Sequence, residues 1–204
     1  MKKILIILIM MGIFVTSFSD EKEEMLNKRT EYFKKNYTEA DKTVKKSVKF
    51  VNEVYFMKWA GLSKQSVGTV QFIREKDNIK KFKKMITVVS CPVGTTIEEY
   101  IKGYMSVVQP YIANQPVVMS NKKSKYSKDM VTEIMLVDKE SKVIEYSLLR
   151  AYETKDGEVN AVIYSQRFDY DANIKDNKKM INEINKNVEK RMKDIFEIDF
   201  KIFG

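Results

Sequence analysis

Residues 69–92 read TVQFIREKDNIKKFKKMITVVSCP. The stretch is apolar, then densely charged, then apolar again. Valine- and aromatic-rich runs of this length favour strands, so the flanks predict one strand over Val67–Glu75 and another over Met85–Cys91. Asp77-Asn78 marks the connection between them, with a helical turn expected over Ile79–Lys84 and Phe82 reaching back to the core. The charged middle has two readings. It is the solvated part of a turn, or it is a basic contact surface.

Outward from this pair the same texture recurs. Val48–Trp59 predicts a preceding strand. After Pro92, Thr95 with Glu98 three residues on forms a capping box. Ile97, Tyr100, Ile101, Tyr104, Val108, Tyr111 and Ile112 then keep one apolar helical face, with Pro110 kinking or shortening its end. Residues 114–128 read as loop. Three strands follow in a meander, over Val131–Asp138, Lys142–Thr154 and Glu158–Tyr170, and Asp156-Gly157 is a strong hairpin signal. A single closing helix is expected over Asp176–Phe196, with Met180, Ile184, Val188, Met192 and Ile195 as its stripe. Strands, helix, strands, helix with tight connections predict an α+β fold: an antiparallel sheet of about six strands with helices packed on it.

The N-terminus carries an address. Lys2 and Lys3 precede an apolar run, Ile4–Val15, and small residues stand at Ser17 and Ser19. That is the layout of a cleaved signal peptide over residues 1–19. The run of about 12 residues falls short of the roughly 20 that span a bilayer. The competing reading keeps this segment as an uncleaved anchor. The expected organisation is therefore the signal peptide, a charged and partly helical segment over 20–47, and one α+β domain over 48–204. In the N-terminal segment, Met25, Leu26, Arg29, Tyr32 and Phe33 form a helical stripe, Asn36-Tyr37-Thr38 ends or interrupts the helix, and Lys42, Lys45, Lys46 and Lys49 read as a solvated face or irregular lead-in, with the spacing of a basic face if the segment is helical. The expected location is exported, periplasmic or extracellular, with no integral span after cleavage. The one cysteine, Cys91, has no partner for an internal disulfide, so stability must come from packing, and Cys91 reads as a small core residue.

Composition narrows the chemistry. The chain has 204 residues, net charge +9 and no histidine. Without histidine there is no Ser–His–Asp or Cys–His machinery, and a transition-metal site loses its commonest ligand. The glycines form no phosphate-binding loop. Asp169, Asp171 and Asn173 begin like a calcium loop, but Ile174 and Met180 stand where glycine and glutamate are required. Carboxylate pairs for acid–base work are conceivable among 28 acidic residues, but nothing in the spacing selects one. No catalytic, cofactor-binding or metal-binding residue is assigned. The basic charge is almost all lysine, whereas arginine is the residue of forked phosphate recognition, so nucleic acid is not an expected partner.

Residues 72–87, FIREKDNIKKFKKMIT, with Thr96-Ile97-Glu98-Glu99-Tyr100 beyond them, resemble a pattern in small exported bacterial domains of the PsbP-like and DcrB-like kind. The pattern departs at Phe82, where tryptophan is usual, and near Glu75–Lys76, where glycine is. The resemblance implies an α/β/α sandwich around an antiparallel sheet, an accessory role in the cell envelope, and no catalytic residue.

The functional expectation is thus an exported, non-enzymatic accessory or binding protein whose partner is an envelope protein or an anionic membrane or polymer. One alternative is peripheral binding to anionic membrane through Arg74, Lys76, Lys80, Lys81, Lys83 and Lys84, helped by Lys122, Lys123, Lys125 and Lys128. Another is carriage of an apolar ligand among the aromatics.

Overall fold

The computed structural model describes residues 20–38, 46–121, 124–170, 174–198 and 202–203. The expected signal peptide, and Lys42 and Lys45 of the proposed basic face, lie outside them. Strands β3 (Gly68–Ile73) and β4 (Lys84–Ser90) pair antiparallel, from Gly68 opposite Ser90 to Ile73 opposite Met85. Both are central and buried on both faces, which is why they read as near-continuous apolar runs rather than alternating ones.

Among the described residues the sheet has eight antiparallel strands, not six, in the order β1 (Ser47–Phe50), β2 (Glu53–Leu62), β3, β4, β8 (Val159–Asp169), β7 (Val143–Glu153), β6 (Asp129–Asp138), β5 (Val117–Ser120). The first extra strand comes from the run over 48–59, which is not one strand. It is a hairpin of β1 (Ser47–Phe50) and β2 (Glu53–Leu62), joined by Val51 at φ 47° and Asn52 at φ 63°. Two consecutive positive-φ residues make the tight turn that suits twisted strands, but valine is not a residue that signals it. The second is β5 (Val117–Ser120), inside the expected loop, pairing with β6 (Asp129–Asp138). Then β7 (Val143–Glu153) and β8 (Val159–Asp169) complete the expected meander, with Gly157 at φ 77° in the turn. β8 returns to pair with β4, so two four-stranded meanders lie side by side.

Both faces of the sheet are covered. Helix α1 (Asp20–Phe33) runs on into a π-helical turn over Lys34–Thr38. Helix α2 (Ile97–Val108) lays Ile97, Tyr100, Tyr104 and Val108 on Val89, Leu149, Ala161 and Ile163. On the other face, α3 (Ile174–Asn185) and α4 (Val188–Glu197) bring Met180, Ile184 and Ile195 against Phe72, Val88, Leu148 and Val162. Phe33 of α1 joins that cluster. Phe50 of β1 reaches Tyr164 of β8 at 4.8 Å between ring centroids, although three strands separate them in the sheet. The β1 side therefore curls over this face, as accumulated right-handed twist requires.

Four local expectations need correction. The cap of α2 is Thr96 with Glu99, one residue later than Thr95 with Glu98. The helix stops at Val108 and tightens into a 3-10 turn over Gln109–Tyr111, the shortened end that Pro110 predicts. The closing helix is two helices broken at Lys186-Asn187. No helical turn forms over 79–84, yet Phe82 does return to the core, against Ile73 and Met85. Lys46 precedes β1 and Lys49 lies in it, so these two share no helical face. No helix among the described residues is long and apolar enough to cross a membrane.

Candidate functional site

The β3–β4 connection is an ordered loop. Arg74 grips Asp77 with two bonds, Nε to Oδ2 and Nη2 to Oδ1, both 3.0 Å. Asp77 Oδ2 also accepts the Lys83 N–H at 3.3 Å, and the Asn78 side chain accepts the Lys80 N–H at 2.9 Å. Arg167 lies 3.9 Å over the Phe82 ring and fixes the far side of the loop. Glu53 of β2 takes Lys84 at 2.6 Å and Arg74 at 3.4 Å. The bond to Asp77 holds the Arg74 guanidinium above its usual range. Burial alone would raise the Asp77 carboxyl, but the Arg74 fork and the Lys83 N–H outweigh it and leave it low.

These contacts sort the expected basic residues into two kinds. Arg74 and Lys84 are neutralised within the fold. Lys76, Lys80, Lys81 and Lys83 are exposed, and none forms an ion pair with another described residue. The loop thus presents four ammonium groups on a frame braced by Asp77, Asn78 and Phe82.

The second lysine group is elsewhere. Lys84 is level with Gln166, Tyr146 and Met135, whereas Asp129 is level with Tyr152, Asn160 and Ser90. The 74–83 loop leaves the first end of the sheet and the 121–128 loop leaves the second. The seven residues of β4 alone hold the two ends about 20 Å apart along the strands. Lys128 pairs with Glu98 at 3.3 Å, and Lys125 lies 5.2 Å from the Tyr126 ring centre. Lys122 and Lys123 lie outside the described residues. Lys125 and Lys128 therefore sit at the opposite end of the strands from the four loop lysines.

Other candidate chemistry is largely occupied. Cys91 is buried, and burial pushes its thiol up to about 12, away from the thiolate form. The buried carboxylates each have partners: Asp129 with Arg150, Glu145 with Arg167, and Asp138 with the Ser141 hydroxyl. No cluster of three or more His, Cys, Asp or Glu among the described residues is placed to hold a metal. A cleft of about 510 Å³ opens beside β1, lined by Lys49, Asn52, Lys190, Asp194 and Glu197 among others. Asp194 spends one oxygen on the Val51 N–H at 2.7 Å and the other on Lys190 at 3.3 Å.

Sequence reasoning missed the buried arginines. Arg29 of α1 bonds Glu158 and the Ser90 carbonyl and stacks 3.7 Å over Phe203. Its place in the stripe Met25, Leu26, Arg29, Tyr32, Phe33 was the available signal. Arg150 and Arg191 each retain 2% exposure. Arg191 falls between Val188 and Ile195 on the apolar stripe of the closing helix, at the same helical spacing.

A protein-family model matches residues 42–200 of the chain. No curated protein matches it.

Proposed function

The chain belongs to an uncharacterized family, and we propose that it is an exported, non-catalytic binding protein that docks on an anionic bilayer surface through the β3–β4 loop. The observation that carries this reading is the sorting of charge in that loop. Lys76, Lys80, Lys81 and Lys83 face solvent with no acidic partner among the described residues, on a backbone that Asp77 and Phe82 hold in place. Each lysine near an anionic leaflet contributes about 1 kcal/mol, so four supply up to about 4 kcal/mol. Preorganisation limits the ordering entropy set against it.

Three features support the rest of the reading. Lys2-Lys3, the Ile4–Val15 run and Ser17/Ser19 give the leader layout. The likeness of residues 72–100 to PsbP-like and DcrB-like domains fits an envelope accessory. The absence of histidine and the shielded Cys91 thiol argue against nucleophilic catalysis.

Co-sedimentation with anionic and neutral vesicles over a salt series tests it. The expected result is binding to anionic vesicles that weakens with salt and is lost when the four lysines become glutamate, while Lys125→Glu and Lys128→Glu change little. Equal binding to neutral vesicles, or binding indifferent to the four lysines, would overturn it.

A further inference from the structure

Arg191 of α4 keeps only 2% of its surface exposed. Its Nε and Nη2 have no hydrogen-bond partner among the described residues. Those two atoms form the edge of a guanidinium that grips a carboxylate through two parallel bonds. The same edge is filled twice elsewhere in this molecule. Arg74 gives Nε and Nη2 to Asp77 at 3.0 Å each, and Arg150 gives Nε and Nη2 to Asp129 at 2.9 Å each. Arg191 holds the matching edge in the interior with no aspartate or glutamate of the described residues on it.

The neighbouring polar groups are committed to one another. The Arg191 guanidinium is 5.0 Å from the centre of the Tyr146 ring on β7. On β8, the Tyr164 hydroxyl donates to Gln166 at 2.9 Å, and Gln166 donates to Glu183 of α3 at 2.7 Å. Burial drives both tyrosine hydroxyls above their usual range; at Tyr146 the Glu133 carboxylate, hydrogen-bonded to the hydroxyl, adds to the rise, and Arg191, which also bonds that hydroxyl, opposes it. A guanidinium with its Nε and Nη2 donors unsatisfied in the interior is a costly arrangement that a methionine of similar size would avoid.

We propose that the Nε/Nη2 edge of Arg191 is a binding site for the carboxylate of a small organic acid, held between α4 and the β7–β8 region of the sheet. Two coplanar oxygens match the fork as Asp77 and Asp129 match theirs. With Glu133 already across the Tyr146 hydroxyl from Arg191, a carboxylate adds one negative charge, whereas a phosphate dianion adds two among Tyr146, Tyr164, Ile184 and Ile195, all members of the same buried cluster. The site is independent of the lysine loop, so either assignment can fail alone.

The test follows the arginine Nε–H signals of the ¹⁵N-labelled chain during titration with sodium acetate, with sodium chloride at matched ionic strength as reference and sodium phosphate as competitor class. Arg191→Lys identifies the Arg191 signal by its loss. Acetate is expected to shift that signal saturably and to leave the signals of Arg74 and Arg150, already held by aspartates, in place. Acetate should also raise the melting temperature of the natural chain and not that of Arg191→Met. An Arg191 signal that stays still, or moves equally with chloride, means that water alone satisfies the donors and overturns the proposal. Saturation by phosphate below the acetate range overturns the carboxylate assignment. A rise in melting temperature retained by Arg191→Met overturns the site. If Arg191→Met does not fold, the titration of the natural chain decides.

Discussion

Arg150 and Asp129 meet across β7 and β6 through two bonds of 2.9 Å, with 2% and 0% of their side chains exposed. Arg150 Nη1 also donates to the carbonyls of Ile195 and Ile198 at 3.1 and 3.0 Å. One guanidinium therefore joins two strands and closes the C-terminal end of α4, where free carbonyls favour a cation. Arg150→Met leaves the Asp129 carboxylate buried without its counter-charge, and a loss of about 3–5 kcal/mol is expected in urea unfolding. Adding Asp129→Asn removes the stranded charge, so the double variant should recover part of that loss. Additive losses would show that the pair is not coupled. Amide exchange in α4 should accelerate in both variants, because the carbonyl contacts go with Arg150.

Asp77 gives the loop a pH dependence. Its ordinary value is 3.8 and its folded value is lower, because the Arg74 fork and the Lys83 N–H outweigh desolvation. A depressed folded value means that the unfolded chain binds the proton first. The stabilisation is present above 3.8 and is lost as pH falls through the lower folded value. The stability difference between the natural chain and Asp77→Asn should be constant near neutrality and shrink in that acidic window. A difference independent of pH across the window would remove Asp77 from the account. Because the site is partly solvated, the effect at neutrality should be modest.

Thr96 is the cap of α2. Its hydroxyl accepts the Glu99 N–H at 3.1 Å, and the Glu99 carboxylate accepts the Thr96 N–H at 2.9 Å. Thr96→Ala should cost about 1 kcal/mol. Thr95→Ala should cost less than about 0.5 kcal/mol, as surface changes away from such features do. Thermal unfolding of the two variants distinguishes them, and a larger loss at Thr95 would restore the earlier register.

That one-residue ambiguity shows where sequence pattern stops. Thr95-Thr96 and Glu98-Glu99 offer two capping boxes in adjacent registers, and only the seating of Ile97 and Tyr100 on the sheet selects one. The meander from β6 to β8 was legible because Asp156-Gly157 supplies the backbone that its turn needs. The β1–β2 turn was not, since Val51 is held at positive φ by tertiary contacts, including its N–H bond to Asp194, 143 positions away in the chain. β5 was lost in a polar stretch because Val117 and Val118 are half exposed on an edge and leave no buried alternation. The basic residues of the 74–84 loop were legible as a group, but their sorting was not. That depends on Glu53, which reaches them from β2. Arg191 was hidden for the same reason: burial among Tyr146 and Tyr164 is set by the sheet, not by its own helix.

Gly61 and Trp59 provide a sensitive check on the exposed side of β2. The two residues alternate onto one face, and a Cβ added at Gly61 would lie 2.5 Å from Cη2 and Cζ2 of the Trp59 indole. The half-buried ring therefore covers the glycine and shields its backbone. Gly61→Ala forces the ring away, at a cost of about 1–3 kcal/mol as for other overpacked sites. Trp59 is the single tryptophan, so its emission reports the displacement directly and should move to the red while far-ultraviolet circular dichroism stays unchanged. In a Trp59→Leu background the same Gly61→Ala change should cost less than about 0.5 kcal/mol, because the group that it displaces is gone. An unchanged emission maximum in Gly61→Ala, or an equal cost in both backgrounds, would show that the indole does not rest on Gly61.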